Sequence, residues 1–358
     1  MLAVAELEER PIEARELSGD GPGDAPRLAV VGPAGTVDPA ALFGDRKAAI
    51  LERLGETGAL LFRGFDLADA AAAEQLVLAL GIQMDTDYLG GASPRSGLTR
   101  HLFSSTEAPA RYIISFHTEM CYLRHRPAKI VFYCDREPEQ AGETPLFDCA
   151  RMLTLLPDAL RERIEREGII YRRYFRSTPS RINVFKTWQE AFGTTDREVA
   201  EDGCRRQGLE FEWNDAGDLV AQSRMPGIVT HPASGKRCLS LTLYNEYASV
   251  QDLARFSHRY NPLVRAAIGG FSGFMFGRPT IFMKTLWGNG EAISREDTQA
   301  LIDTAWRAST IFRWRRGDLL ILDNILTGHG RLNVTGPRLI AAGLGDPYDV
   351  ESLATAAA

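Results

Sequence analysis

A chain of 358 residues, 44% of them hydrophobic and 25% charged, is long enough to bury a large core. Its net charge of −6 argues against a nucleic-acid backbone or an anionic membrane surface as the main partner, and no run of about 18 uninterrupted apolar residues offers a membrane span. Five cysteines, at 121, 134, 149, 204 and 238, form no Cys-x-x-Cys pair and no evident disulfide framework, which fits reduced thiols and a cytoplasmic location.

In chain order, residues 1–26 predict a flexible lead-in. Glu6, Glu8, Glu9 and Glu13 stand where a secretory signal needs a basic start, and glycines and prolines crowd 14–26. A helix around 38–55, a strand over 59–63 and a helix around 66–80 follow, with Gly64 and a cap at Asp66 marking the change of period. Residues 84–111 have little apolar periodicity and lie directly before the next strand, as either a linker or a lid. Tyr112–Phe116 is β-branched and aromatic enough for a strand, and Lys129–Cys134 reads as a buried one. Gly142-Glu143-Thr144-Pro145 is a turn feeding the short strand Leu146–Phe147. Between roughly 157 and 310 the pattern mixes helices (157–167, 195–207, 249–268, 294–309) with strands (169–175, 209–213, 238–243). A last strand spans 318–324. Strands at both ends of a long mixed insertion predict a single domain over 27–358: mainly β with flanking helices, a barrel or jelly roll rather than alternating βαβ units.

The chemistry concentrates in His117-Thr118-Glu119. On a strand of period two, residues i and i+2 share a face, so the His117 imidazole and the Glu119 carboxylate can reach one cation. His329, between Gly328 and Gly330, follows the last strand and supplies a second imidazole; two histidines and one carboxylate form the facial set that holds ferrous iron. Arg338, nine residues on, offers a cationic fork for a carboxylate. A chain reversal near Asn333 and Val334 would set it across an antiparallel pair from His329. Ser115, Met120, Tyr122 and Arg331 lie near the ligands as candidate substrate contacts, with core packing the alternative for Met120 and Tyr122.

Three motifs in order, His117-Thr118-Glu119, Gly142-Glu143-Thr144-Pro145, and Asp323-Asn324 to His329-Gly330-Arg331 to Gly336-Pro337-Arg338, resemble the taurine dioxygenase (TauD/TfdA) and clavaminate synthase-like iron(II)/2-oxoglutarate oxygenases, and most of all their SyrP-like branch. The similarity runs from about 50 to 345. It implies a double-stranded β-helix, a jelly roll, in which His117, Glu119 and His329 bind Fe(II), Thr144 touches 2-oxoglutarate, and Arg338 grips its far carboxylate. O2 is the co-oxidant. A second, substrate-binding arginine four residues after the first is replaced by Ala342, which disfavours a sulfonate substrate. Glu119 stands where related halogenases carry a small residue, which disfavours chlorination. The resemblance implies hydroxylation, desaturation or cyclisation of an amino acid or amino-acid-derived small molecule in natural-product biosynthesis. The alternatives are an oxygenase of a carrier-protein-tethered aminoacyl group and a non-oxidative metal-binding or regulatory jelly roll.

Overall fold

The computed structural model describes residues 3–4, 6–18, 28–34, 38–86, 96–105, 113–179, 186–259, 262–263 and 283–354. Its frame is two sheets sharing one core. The major sheet has eight strands in the order Ala3–Val4, Leu7–Pro11, Ala29–Pro33, Ala59–Phe62, Leu319–Asp323, His125–Arg136, Leu339–Asp349 and Phe103–Ser104. All neighbours are antiparallel except Ala29–Pro33 with Ala59–Phe62. The minor sheet has four, Ser309–Thr310, Leu146–Asp148, Thr327–Arg331 and Ile114–His117. Successive strands change sheets, from Ile114–His117 to His125–Arg136 to Leu146–Asp148, and from Leu319–Asp323 to Thr327–Arg331 to Leu339–Asp349. This alternation is the double-stranded β-helix.

Side-chain period explains why the central strands read as unbroken apolar runs. Leu320 and Leu322 face the core shared with the minor sheet, whereas Leu319 and Ile321 face a layer of helices; Ile130 and Phe132 alternate with Val131 and Tyr133 in the same way. The helix layer is Pro39–Thr57 and Ala70–Ala79, which pack Leu42, Phe43, Ile50, Leu54, Leu76 and Val77 on that outer face. Asp38 caps the first helix by accepting from the Ala40 amide, and Gly58 ends it at φ +80°, a left-handed turn.

The second helix is capped by Asp69, not Asp66, which instead takes a positive φ of 50° in the preceding loop. The N-terminal segment is also not the lead-in its composition suggests. Leu7–Pro11 is a sheet strand, and Glu16, 2% exposed, accepts from Arg10 and Arg63. A buried carboxylate with two guanidinium partners fixes a segment whose charges read locally as loose. The expectation for 19–26 lies outside the described residues.

The insertion carries a four-stranded antiparallel sheet, Glu210–Trp213, Leu219–Met225, Ile169–Phe175 and Met283–Trp287, and a small core of its own around Phe175, Trp188, Cys204 and Leu219. Leu219–Met225 and Met283–Trp287 are strands that the sequence pattern did not mark. Helix 246–255, continued by a 3-10 turn at 257–259, is shorter at its described end than the expected 249–268; residues 264–268 lie outside the described residues. Of the segment 84–111, Met84 bridges Gly345 and Phe103–Ser104 forms the edge strand beside Ala341–Ala342, so those parts are sheet, while residues 87–95 and 106–111 lie outside the description. All five cysteine side chains are buried thiols. Among the described residues no helix is long and apolar enough to cross a membrane.

Candidate active site

His117, on the last strand of the minor sheet, and His329, on its neighbour Thr327–Arg331, are direct register partners with ring centroids 4.2 Å apart. This approach needs the glycines. A Cβ on Gly328 would lie 2.3 Å from the Phe116 ring, and one on Gly330 would lie 2.6 Å from the Ile114 carbonyl oxygen. Glu119 completes the cluster: its Oε2 is 3.9 Å from His117 Nε2 and 3.6 Å from His329 Nε2. One ligand atom from each residue lies within 4.8 Å of the others, the only such group of three among the described residues. Three neutral or anionic donors converging this closely, two of the residues about 5% exposed, suit one divalent cation.

Glu119 does not share a strand with His117. The strand ends at His117, and Glu119 sits in the turn that follows, with Met120 at φ +55° and the Cys121 amide donating to the Thr118 carbonyl. What holds the carboxylate in place is Asn324. Its Oδ1 accepts from the Glu119 amide at 2.8 Å, and its Nδ2 donates to the Glu119 carbonyl at 3.0 Å and the Pro127 carbonyl at 2.8 Å. Asp323 shapes the adjoining turn by accepting from the amides of Ile325 and Leu326. Burial would raise its carboxyl, but the hydrogen bond with His231 and the charge of Lys129 outweigh that and hold it at about 2. His117 Nδ1 lies 3.0 Å from the Ser115 carbonyl, a contact that selects the Nδ1–H tautomer and leaves Nε2 for a metal.

Arg338 reaches the site by a route different from the expected hairpin. Thr327–Arg331 pairs with Ile114–His117 and Leu146–Asp148, whereas Leu339 pairs with Arg136 in the other sheet. Between them the chain crosses through Val334–Thr335, which pairs with Gln140–Ala141. A jelly roll sends consecutive strands to opposite sheets, so the reversal never becomes a hairpin. The Arg338 side chain nevertheless meets the predicted cosubstrate turn: Nη2 is 3.3 Å from Thr144 Oγ1, and Nη1 is 3.4 Å from Ser105 Oγ. Among the described residues no carboxylate pairs with it, and its Nε is buried without a hydrogen-bond partner. Burial, and after it the nearby Arg331, push its guanidinium down to about 9. Burial lowers Arg331 to about 10. Two buried cations together form a site that favours an anion.

The remaining candidates divide. Ser115 donates to Asp252 of helix 246–255, so its hydroxyl is engaged by the insertion. Met120 and Tyr122 are buried in the main core, and Tyr122 lies under the Arg173 guanidinium with a ring distance of 5.0 Å. Arg331 is 7% exposed and stays near the anion-favouring pocket. Sequence reasoning missed Asn324 as the clamp on Glu119 and missed the insertion's approach to the metal strand, where Thr242 bridges His117 and the Thr118 amide donates to the Leu241 carbonyl. Asn324 was visible only as part of the Asp323-Asn324 motif.

A jelly roll holding a buried two-histidine, one-carboxylate cluster, with a buried arginine, hydrogen-bonded to Thr144, that no carboxylate pairs with among the described residues, defines a non-haem iron oxygenase that takes a 2-oxo dicarboxylate as cosubstrate. The chain belongs to the taurine catabolism dioxygenase TauD, TfdA family, whose model matches residues 24–343. It is therefore a 2-oxoglutarate-dependent dioxygenase using Fe(II), 2-oxoglutarate and O2. It is 29% identical over 296 residues to the dapdiamide synthesis protein DdaC of Enterobacter agglomerans, covering 83% of this chain and 84% of that protein. To a clavaminate synthase-like protein of Arabidopsis thaliana it is 27% identical over 297 residues, with 81% and 82% covered. Its fold matches that of PvcB from Pseudomonas aeruginosa, described as an Fe, alpha-ketoglutarate-dependent oxygenase from an isonitrile synthetic pathway, with a TM-score of 0.53 at 15% identity over 95% of this chain and 91% of that one.

Proposed function

We propose that this enzyme oxidises a C–H bond of a free amino acid or a small amino-acid derivative in natural-product biosynthesis, with His117, Glu119 and His329 holding the iron and Thr144 and Arg338 holding 2-oxoglutarate. The observations that carry the site assignment are the converging donor cluster and Arg338, a buried cation hydrogen-bonded to Thr144 and given no carboxylate among the described residues. When bound, iron and 2-oxoglutarate supply the oxidising power: O2 is consumed, 2-oxoglutarate becomes succinate and CO2, and the substrate C–H bond is oxidised.

The chain's own groups orient and charge the pocket. The Ser115 carbonyl fixes the His117 tautomer, and Asn324 fixes the backbone that presents Glu119. Thr144 Oγ1 already accepts from Trp314 Nε1 at 3.1 Å and from Arg338, so its own proton remains to donate to a carboxylate oxygen beside the Arg338 fork.

One observation supports a free carboxylate on the substrate: Arg331, two residues beyond the His329 ligand, is buried and not extended into solvent, and its charge acts on Arg338. DdaC's name as a dapdiamide synthesis protein supports an amino-acid-derived substrate. The test has two parts. Under nitrogen, Fe(II) plus 2-oxoglutarate should give a metal-to-ligand charge-transfer band. With a panel of free amino acids and their carrier-bound thioesters, Arg331→Ala should cut coupled product formation far more than uncoupled 2-oxoglutarate decarboxylation. Turnover confined to carrier-bound thioesters would overturn the free-substrate assignment.

A further inference from the structure

Glu143 stands directly before Thr144, next to the arginine that is to receive the cosubstrate. It is 6% exposed, and its neighbour Gly142 is so close to Arg338 that a Cβ there would lie 3.3 Å from Arg338 Cδ. A buried carboxylate at this place is a ready competitor for the Arg338 fork: paired with it, Glu143 would neutralise the cation and block the far carboxylate of 2-oxoglutarate. The structure instead shows Glu143 held by Arg259, in the 3-10 turn 257–259 that follows the insertion's helix 246–255. Nη1 lies 2.7 Å from Oε2 and Nη2 lies 3.2 Å from Oε1, a two-point fork between side chains 10% and 8% exposed. The same guanidinium donates to Ser18 Oγ in the N-terminal segment, at 3.2 Å.

We propose that Arg259 is a positioning residue that keeps Glu143 away from Arg338, so that the cosubstrate arginine stays available to the dicarboxylate. The inference rests on the assignment of Arg338 as the 2-oxoglutarate anchor. Removing Arg259 leaves a buried carboxylate without its partner, and the electrostatics then drive it toward Arg338, a nearby buried cation that already feels its charge. Seven residues before Arg259, Asp252 of helix 246–255 accepts from Ser115 on the metal strand. The helix and the turn that follows it thus brace both halves of the site, but only Arg259 acts through a competing charge.

The test is calorimetric titration of 2-oxoglutarate into the Mn(II)-loaded full-length protein under nitrogen, which reads binding without turnover. Arg259→Gln should weaken the dissociation constant by roughly tenfold, the scale of a buried charge set against a ligand carboxylate. Glu143→Gln alone should leave it within about threefold, and the Arg259→Gln/Glu143→Gln double variant should recover to the same range because no competitor remains. A purely structural brace predicts the opposite, a double variant no better than Arg259→Gln; that result, or unchanged binding in Arg259→Gln, overturns the proposal. Arg338→Ala separates the two layers. Lost binding there with no rescue in the double variant defeats the Arg259 inference alone, whereas binding retained in Arg338→Ala defeats the anchor assignment and the inference with it. Should Arg259→Gln fail to fold, Arg259→Lys, which keeps the charge without the fork, must still lose affinity and regain it with Glu143→Gln.

Discussion

The two halves of the site are built on different physical principles. The metal half is organised by neutral hydrogen bonds to the backbone: Ser115 O to His117 Nδ1, and the three bonds of Asn324 to Glu119 and Pro127. The proposed cosubstrate half is organised by charge, with Arg338 and Arg331 both buried and Glu143 paired with Arg259. A metal centre needs its ligands at fixed separations, which short backbone bonds supply. An anion site needs potential, which buried cations supply at a desolvation cost that the ligand relieves.

This contrast is broken most forcefully at the metal ligands. Replacing His117, Glu119 or His329 by Ala removes one donor each and little apolar packing, so Fe(II)-dependent 2-oxoglutarate consumption should vanish while thermal melting shows a folded protein. Retained consumption in any two of the three would defeat the triad. Next comes Asn324→Ala, which leaves Glu119 in the chain but releases its backbone. Metal affinity should fall by roughly 10–100-fold, the range for groups that orient a ligand. Stability should drop by about 1–3 kcal/mol because buried backbone groups lose their partner. An Asn324→Ala protein with wild-type metal affinity would show that the turn holds Glu119 unaided.

The charged half responds differently. Arg338→Lys should weaken 2-oxoglutarate binding by about 1–3 kcal/mol, since a point charge cannot reproduce a two-point fork, and leave metal affinity intact. Thr144→Val should cost about 1 kcal/mol, one neutral hydrogen bond. Titration of both variants, with and without metal, checks whether the halves are as separable as their construction implies.

The smallest effect is in pH. With its guanidinium lowered to about 9, Arg338 is charged in free and bound protein below that value, so affinity should be flat from pH 7 to 8. Above about 9 the free protein loses the proton that the bound dicarboxylate requires, binding must take one up, and the dissociation constant should rise with pH. In Arg338→Lys the position of this rise should move; an unmoved profile would assign it to Arg331 instead.

The order His117-x-Glu119, Gly142-Glu143-Thr144, His329 and Arg338 determined the chemistry before any coordinates, because residue type and spacing along the chain are what a motif records. The strands of the jelly roll were legible for the same reason. Leu319–Asp323 and His125–Arg136 carry apolar runs buried on both faces, and a run of that kind is a local property. Tertiary structure decided what local pattern cannot encode. It moved Glu119 off the strand and gave it to Asn324, far away in sequence. It sent Arg338 to the opposite sheet from His329, overruling a hairpin that short-range pairing favoured. It turned the charged stretch 7–18 into a strand and an anchor, because Glu16 meets Arg63 only once the sheet is formed. Each of these depends on a partner distant in the chain, and such a partner is selected by sheet topology and by the cost of burying an unpaired charge or amide, neither of which leaves a periodic trace.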